Sequence, residues 1–275
     1  MSELFDPALT VVTLDSVEVA CEISGHGSPA IVLLHGLGAS TRLWRDVQAR
    51  LGDGNQVLSL DLRGAGRTRQ LEDRALSLET WADDLRGTLE ALDIERPVLV
   101  GHSLGAGVAL KYALGFPDHV AGLVLMGVDP DLSNLAPRML AAAELIERVG
   151  LATWVADHWS KNTPFAAATL ARSPEIVDRY SSMLLSNDEP SYVRTCRAIA
   201  ASESLAGRVG EITLPTLVIL GAEDDRTLPE HGRSLARRLA GARVVELPGV
   251  GHTMPFEAPD EVAAALAEFV AGLPE

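Results

Sequence analysis

The sequence predicts an α/β fold in which a mostly parallel sheet of eight strands carries helices on both faces. Short apolar runs alternate along the chain with segments whose apolar residues recur at helical spacing. A Gly-x-Ser-x-Gly turn at residues 101–105 joins one such strand to a helix that is apolar nearly all round. The alternation stops over residues 132–210, where only helical patterns occur, and then returns. We therefore predict a core domain of residues 1–131 and 211–275, with a helical cap of residues 132–210 inserted after strand 6.

Eight short segments are predicted to be strands, and they cover residues 10–14, 17–23, 30–34, 56–60, 97–100, 120–126, 215–220 and 243–247. The first two alternate apolar and polar residues on either side of residues 15 and 16, which predicts an antiparallel hairpin at a sheet edge. The next four are apolar runs, which are typical of strands buried on both faces. In a parallel sheet of this kind the active site lies beyond the carboxyl ends of the strands.

Outside the predicted cap, helices are expected over residues 43–51, 78–92, 106–114, 229–239 and 262–273. Ser77 is the expected N-cap of the second, because its hydroxyl can accept a hydrogen bond from an N–H of the first turn. Pro229 is well placed to open the fourth, since its missing N–H is not needed there. The loop of residues 61–66 lies between the predicted strand of residues 56–60 and the predicted helix of residues 78–92, and it is expected to have a structural role.

The composition disfavours several classes of partner. The 275-residue chain has 38 acidic and 23 basic residues, and its net charge of −15 disfavours nucleic acid and anionic membrane surfaces. No stretch approaches a membrane-spanning length of about 18 apolar residues, and residues 1–7 do not resemble a signal peptide. Cys21 and Cys196 are expected to be reduced thiols. We expect a cytoplasmic monomer or homodimer that acts on a small molecule.

The turn at residues 101–105 has the pattern of a nucleophile elbow, in which a Ser between two Gly follows a strand and precedes a helix. Cβ atoms at Gly101 and Gly105 would collide with neighbouring backbone, and the tight turn would hold Ser103 in a strained conformation. The pentapeptide alone arises by chance in roughly one in ten chains of this length. The strand before it and the buried helix after it therefore carry the prediction that Ser103 is a nucleophile.

The loop at residues 35–38 follows a buried strand and contains two glycines, so its backbone can come close to a substrate. Acyl transfer needs backbone N–H groups directed at the developing oxyanion. We predict that the N–H groups of Leu37 and Leu104 supply them. His35 is expected to brace this loop, because a catalytic triad needs only one histidine. That histidine is predicted to be His252, which follows the last strand.

With an acid placed between Ser103 and His252, the order nucleophile, acid, base is the one found in α/β-hydrolases. The chain resembles the α/β-hydrolase superfamily over residues 28–272. The motifs that carry this resemblance lie at residues 35–38, 61–64, 101–105, 221–224 and 251–252. Within the superfamily the chain looks most like 3-oxoadipate enol-lactonases and related carboxylesterases, in the stretches 187–192, 196–200 and 229–233.

The resemblance implies a serine esterase or lactonase that forms an acyl-enzyme and needs neither a metal nor an organic cofactor. In two places the chain departs from the lactonases. Ala106 stands where those enzymes usually have a second glycine after the elbow, and the predicted cap matches them poorly upstream of residue 175.

Three carboxylates are candidates for the acid of the triad. Asp224 aligns with the lactonase-like pattern of residues 221–233 without a gap and is the preferred assignment. Asp225 fits a different family pattern, with an acid four residues before Pro229, but only after an insertion. Asp129 also follows a strand, and its simpler interpretation is a polar residue that opens the cap.

The substrate pocket is expected to involve Trp154 and Trp159 of the cap together with Met126 and Met254 of the core. Two other functions share these motifs. A cofactor-free haloperoxidase or perhydrolase uses the same triad, whereas a non-catalytic binding protein on this fold typically lacks one of its members. Halide release or epoxide opening would favour an Asp at position 103. The remaining histidines show no metal-ligand spacing.

Overall fold

Nine strands form one sheet in the computed structural model, which describes residues 7–52 and 54–274. The strands are β1 Ala8–Leu14, β2 Val17–Ser24, β3 Ile31–Leu34, β4 Val57–Leu60, β5 Arg69–Gln70, β6 Val98–His102, β7 Gly122–Met126, β8 Thr216–Gly221 and β9 Arg243–Leu247. Their order is β1-β2-β4-β3-β6-β7-β8-β9, and β5 pairs with β2 outside this order. Residues 1–6, which make up most of the segment judged unlike a signal peptide, lie outside the described residues.

The sheet is antiparallel at one edge and parallel over the rest. β2 runs antiparallel to β1, β4 and β5, whereas every pair from β4 through β3, β6, β7 and β8 to β9 is parallel. The mostly parallel α/β sheet predicted from the sequence is therefore confirmed, and all eight predicted strands occur. β5 was not predicted, because two residues are too few to show a period of alternation.

The α-helices of the described chain are α1 Arg45–Leu51, α2 Leu78–Ala91, α3 Leu104–Gly115, α4 Ala136–Val149, α5 Leu151–Trp154, α6 Ala167–Arg172, α7 Ile176–Leu184, α8 Glu189–Ala200, α9 Pro229–Ala236, α10 Met254–Glu257 and α11 Pro259–Ala271. Short 3-10 turns cover Thr41–Leu43, Pro117–His119, Leu132–Leu135 and Val209–Glu211, and a π-helical turn covers Val155–Trp159. The Ser77 hydroxyl accepts a hydrogen bond from the Thr80 N–H at 3.1 Å, so its predicted capping role is confirmed.

Burial follows the position of each strand in the sheet. Every residue of β3, β4, β6, β7 and β8 is buried, as expected for strands covered by helices on both faces. Edge strands β1 and β9 are mostly exposed or half-buried. Among the flanking helices, α2 packs against α3, and α1 packs against α11. Cys21 and Cys196 are free and buried, and none of the described helices is long and apolar enough to cross a bilayer.

Helices α4 to α8 all lie between β7 and β8, with α4 packed against α8. Residues 127–215 are described throughout and contain no strand. Strands β7 and β8 are nonetheless neighbours in the sheet, so the helical segment leaves the sheet at one strand and returns at the next. This is the place at which the sequence predicts an insertion.

The loop of residues 61–66 is fixed by two buried polar contacts. The Asp61 carboxylate accepts hydrogen bonds from the Thr41 N–H at 2.7 Å and the Arg67 N–H at 2.8 Å. Arg63 makes a bidentate ion pair with Asp84 on α2, with both N···O distances at 2.7 Å. The Arg63 side chain is 0% exposed and that of Asp84 is 8% exposed. Partners therefore compensate the charges that the fold removes from water.

Replacement of Asp84 by Ala should lower the free energy of unfolding by about 3–5 kcal/mol, because it leaves the buried Arg63 guanidinium unpaired. Asp83→Ala is the matched control. The adjacent Asp83 pairs with Arg74 at 2.8 Å in an exposed position, and its loss should cost no more than about 1 kcal/mol. Chemical denaturation of the three proteins measures both effects. Equal destabilisation by the two substitutions would contradict this account of the buried pair.

Candidate active site

Ser103 lies at the tight turn between β6 and α3. Its backbone has φ 52° and ψ −114°, a region that residues other than Gly rarely occupy. A Cβ at Gly101 would lie 2.4 Å from the Ala106 Cα, and one at Gly105 would lie 2.2 Å from the Leu34 carbonyl oxygen. The expectation that these two positions exclude a side chain is thus confirmed, because the helix starts directly against the ends of two strands.

Asp224 is brought beside His252 by the loops that follow β8 and β9. Its Oδ2 lies 2.9 Å from the His252 Nδ1, and its Oδ1 accepts hydrogen bonds from the N–H groups of Arg226 and Thr227 at 2.8 and 2.9 Å. The Asp224 side chain is only 2% exposed. Burial by itself raises the pKa of this carboxyl. The His252 charge and these hydrogen bonds outweigh it and hold the pKa below its usual value.

The other two carboxylate candidates have different partners. Asp225 is exposed, and its Oδ1 lies 3.3 Å from the Arg226 Nε. Asp129 accepts hydrogen bonds from the Asp131 N–H and the Asn134 side chain, both at 2.9 Å, and its Oδ2 lies 3.2 Å from the His231 Nδ1. Of the three, Asp224 is the one that the structure places next to His252.

The tautomer of His252 follows from its partner. An ionised carboxylate can only accept hydrogen bonds, so Nδ1 carries the proton that is donated to Asp224, and Nε2 of the neutral ring remains an acceptor. The backbone on either side of the ring is also fixed. The His252 N–H donates to the Pro164 carbonyl at 2.9 Å, and the His252 carbonyl accepts from the His102 Nε2 at 2.8 Å.

His102, inside the elbow, is buried and neutral. Burial is the main reason that its pKa falls to about 3, and the neighbouring His252 lowers it further. Because the His102 Nε2 donates to the His252 carbonyl, its Nδ1 is an acceptor, and this atom has no hydrogen-bond partner among the described residues. A neutral His102 therefore fixes the position of the backbone that carries His252.

The two predicted oxyanion donors, Leu37 and Leu104, both line the same cavity as Ser103. Leu104 is the first residue of α3, where an N–H has no acceptor within the helix. The loop that carries Leu37 is held by His35, whose Nδ1 donates to the Gly36 carbonyl at 2.7 Å and whose Nε2 accepts from the Leu62 N–H at 2.9 Å. His35 thus has the bracing contacts expected for it.

A cavity of about 320 Å³ extends from Ser103 and His252 into the helical segment between β7 and β8. Trp154 and Trp159 line it, as the sequence predicts. The Trp159 ring stacks on Tyr180, with centroids 5.3 Å apart, and Trp154 contacts Tyr192, with centroids 5.8 Å apart. Each tryptophan therefore packs against a tyrosine of the segment and also forms part of the cavity wall.

Met126 and Met254 do not line this cavity, which corrects the expectation for them. Both are fully buried in the core. Met126 ends β7, and its contact with Ser103 is made by the backbone, where its carbonyl accepts from the Ser103 N–H at 2.8 Å. Met254 starts α10, two residues after His252. A position near the catalytic edge in sequence therefore does not decide whether a side chain points to the cavity or to the core.

Sequence reasoning missed two arginines of the cavity wall, Arg138 on α4 and Arg226 after β8. One signal was present for Arg138. Residues 138, 141, 142 and 145 follow helical i, i+3, i+4, i+7 spacing, and all four line the cavity. A charge on an otherwise apolar stripe could have marked this face. Among the described residues, no cluster of three or more His, Cys, Asp or Glu side chains could hold a metal ion.

Comparisons with known proteins agree with this architecture. The family described as "Alpha/beta hydrolase family" matches residues 31–265. A putative 2-succinyl-6-hydroxy-2,4-cyclohexadiene-1-carboxylate synthase of Bacillus subtilis is 27% identical, over 96% of this chain and 99% of that protein. A thermophilic esterase from Thermogutta terrifontis superposes with a TM-score of 0.87 at 26% identity, over 96% of this chain and 98% of that one. The enol-lactonase from Burkholderia xenovorans LB400 superposes with a TM-score of 0.83 at 26% identity, over 95% of this chain and 100% of that one.

Acid should destabilise the protein from about pH 6.5 downward, in part through His102. Its pKa of about 3 in the folded state lies below the ordinary 6.5, so the unfolded chain binds the proton more readily. The stability is therefore complete above pH 6.5 and decreases as the pH falls towards 3. Between pH 8 and pH 5, this residue should account for a loss of about 2 kcal/mol in the free energy of unfolding.

His102→Gln should make that pH dependence shallower in urea unfolding measured at a series of pH values. His119→Gln is the control, because His119 is exposed and its replacement should leave the pH dependence unchanged. Parallel curves for the wild type and His102→Gln would contradict the account of a buried neutral histidine.

Proposed function

Because the chain belongs to the alpha/beta hydrolase family, we propose that it is a serine hydrolase that cleaves a small carboxylic ester or lactone through an acyl-enzyme on Ser103. One observation carries this proposal. The buried Asp224 lies 2.9 Å from His252, and His252 lines the cavity that also contains the strained Ser103. The esterase and enol-lactonase names of similar structures support the same class of substrate.

In the acylation step, the His252 Nε2 takes the proton of the Ser103 hydroxyl while Oγ attacks the carbonyl carbon. The carbonyl π electrons move to the oxygen, and a tetrahedral oxyanion forms. As the oxyanion collapses, the bond to the leaving oxygen breaks, and His252 gives its proton to that oxygen. The acyl group is then esterified to Ser103, and the alcohol is free. In a lactone the alcohol remains attached to the acyl chain.

In deacylation, water takes the place of the alcohol. His252 removes a proton from the water as its oxygen attacks the acyl carbon, and it returns the proton to Oγ as Ser103 leaves. Asp224 keeps the Nδ1–H tautomer in place and stabilises the imidazolium that forms in each half-reaction. Its hydrogen bonds from Arg226 and Thr227 support this role, because they keep the carboxylate ionised and oriented.

The oxyanion is assigned to the N–H groups of Leu37 and Leu104. Each donor is worth about 3 kcal/mol of the activation barrier in comparable sites. The position of Leu104 at the start of α3 adds the positive end of the helix dipole. Bracing of the Leu37 loop by His35 supports the assignment, since a preorganised donor does not have to reorient during the reaction.

We assign residues 132–210 the role of a cap that selects the substrate. Trp154, Trp159 and Arg138 from this segment line the cavity, whereas Ser103, Asp224 and His252 come from loops at the sheet edge. Side chains placed on a segment outside the catalytic framework are well suited to choose between substrates, and a single pocket contact changes such preferences by about 1–3 kcal/mol.

Ser103→Ala should reduce kcat/KM for 4-nitrophenyl esters by several powers of ten, because it removes the attacking oxygen. It should also abolish covalent labelling by a fluorophosphonate, which mass spectrometry of the intact protein detects. Ser204→Ala, at an exposed position, is the control and should keep both activities. Retention of a tenth or more of the activity by Ser103→Ala, with circular dichroism showing an unchanged fold, would rule out Ser103 as the nucleophile.

Asp224→Asn should lower kcat by up to about 10⁴-fold, as in the Ser-His-Asp triad of serine proteases, because the His252 ring loses the acceptor that sets its tautomer. Asp225→Asn is an adjacent and chemically identical change on an exposed residue, and its rate should stay close to that of the wild type. Steady-state kinetics on one ester compares the two. The opposite ranking would move the acid of the triad to Asp225.

A further inference from the structure

Arg138 places a cation in the wall of the cavity. It lies in the first turn of α4, on the same face as Ala141, Ala142 and Leu145, which also line the cavity. It forms no hydrogen bond or ion pair with any residue in the described part of the chain. The residue as a whole is exposed, and part of its surface lines the cavity that contains Ser103.

Arg226 supplies a second guanidinium to the same cavity, and its position is fixed. Its Nη2 donates to the backbone carbonyl and to the side-chain oxygen of Asn162, the latter at 3.1 Å. Its side chain is 11% exposed, and the exposed Asp225, 3.3 Å from its Nε, partly balances its charge. The Arg226 charge is thus anchored at the cavity wall, whereas that of Arg138 is not balanced by a direct contact.

The two guanidinium groups disfavour each other. Partial burial by the surrounding protein lowers the pKa of Arg138, and the charge of Arg226 lowers it further, whereas Asp225, Tyr192 and Asp224 act in the opposite direction. No Asp or Glu is among the described residues that line the cavity, although the chain as a whole has a net charge of −15. The two guanidinium groups therefore make this part of the cavity wall positive, and an anion bound there would relieve their repulsion.

The rest of the wall suits the carbon skeleton of a small molecule. Aromatic and aliphatic side chains, including Trp159, Tyr180 and Leu145, form much of it. The volume of about 320 Å³ is at the lower end of the range for ligand pockets. A planar guanidinium can hold a carboxylate through two parallel hydrogen bonds, which gives both affinity and orientation.

We propose that the substrate is a small ester or lactone that bears a free carboxylate, and that Arg138, with Arg226 beside it, binds this carboxylate. This inference rests on the proposed hydrolase function and adds the charge of the substrate to it. The carboxylate stays unchanged in the reaction. Its role is to hold the ester carbonyl at Ser103.

The test compares two esters that differ only in charge, namely the mono-4-nitrophenyl ester of adipic acid and the same ester with a terminal carboxamide. A blank without enzyme corrects for spontaneous hydrolysis. For the wild type, kcat/KM should be at least about tenfold higher for the carboxylate ester, since charge-assisted bidentate pairs are about twice as strong as neutral hydrogen bonds. The preference should weaken as the salt concentration rises.

Arg138→Gln should remove most of that preference, because kcat/KM for the carboxylate ester should fall by a much larger factor than kcat/KM for the carboxamide ester. Arg148→Gln is the matched control. Arg148 is an exposed residue on the same helix, outside the cavity, so this variant makes the same change in net charge and should retain the wild-type preference.

Two results would overturn the inference, even if the enzyme is a hydrolase. One is equal kcat/KM of the wild type for the two esters, and the other is an unchanged preference in Arg138→Gln. Failure of the proposed function gives a different result, in which the wild type cleaves neither ester faster than Ser103→Ala does. In that case, the wild type and Arg138→Gln are titrated with adipate and with adipamide while tryptophan fluorescence is recorded. This measures carboxylate binding in the cavity without catalysis. Binding of adipate that depends on Arg138 supports the inference, and binding that is absent or independent of Arg138 refutes it.

Discussion

The close approach of backbone to backbone at the turn of Ser103 is the constraint on which the rest of the site depends. Gly105 packs against the carbonyl of Leu34, the last residue of β3, so tightly that not even a methyl group fits between them. The start of α3 thereby lies directly against the loop that leaves β3, and Leu104 and Leu37 line one cavity. A looser turn would move the predicted nucleophile away from the loop that carries Leu37.

Hydrogen bonds to the backbone extend this arrangement to the last loop of the chain. His102, one residue before Ser103, donates to the carbonyl of His252, and the Ser103 N–H donates to the end of β7. His252 in turn lies against Asp224. Groups from three distant parts of the sequence are thus held by contacts that run through the elbow. The neutral state of the buried His102 suits this arrangement, because a protonated His102 would place a positive charge against the His252 ring, with centroids 4.9 Å apart.

The sequence was most informative where local pattern and long-range structure follow from the same residues. Apolar runs predicted the buried strands, because a strand covered on both faces cannot carry charge. The alignment of residues 221–233 with the lactonase-like pattern, which needs no gap, favoured Asp224, and the structure places this residue beside His252. The sequence could not tell that Met126 and Met254 face the core, since this depends on the packing of layers. Arg138 was missed for a similar reason. Its stripe on α4 becomes a cavity wall only when the helical segment folds back over the sheet.

The helical segment leaves the sheet at β7 and returns at β8, two strands that are adjacent and paired in register from Leu123 and Thr216 onward. Its two ends are therefore held at neighbouring strands of the sheet. A segment of this kind can be exchanged as one contiguous cassette without altering the pairing of any strand. Such an exchange also replaces Pro164, whose carbonyl accepts the hydrogen bond of the His252 N–H, so a new cassette must supply an equivalent acceptor to keep that loop in place.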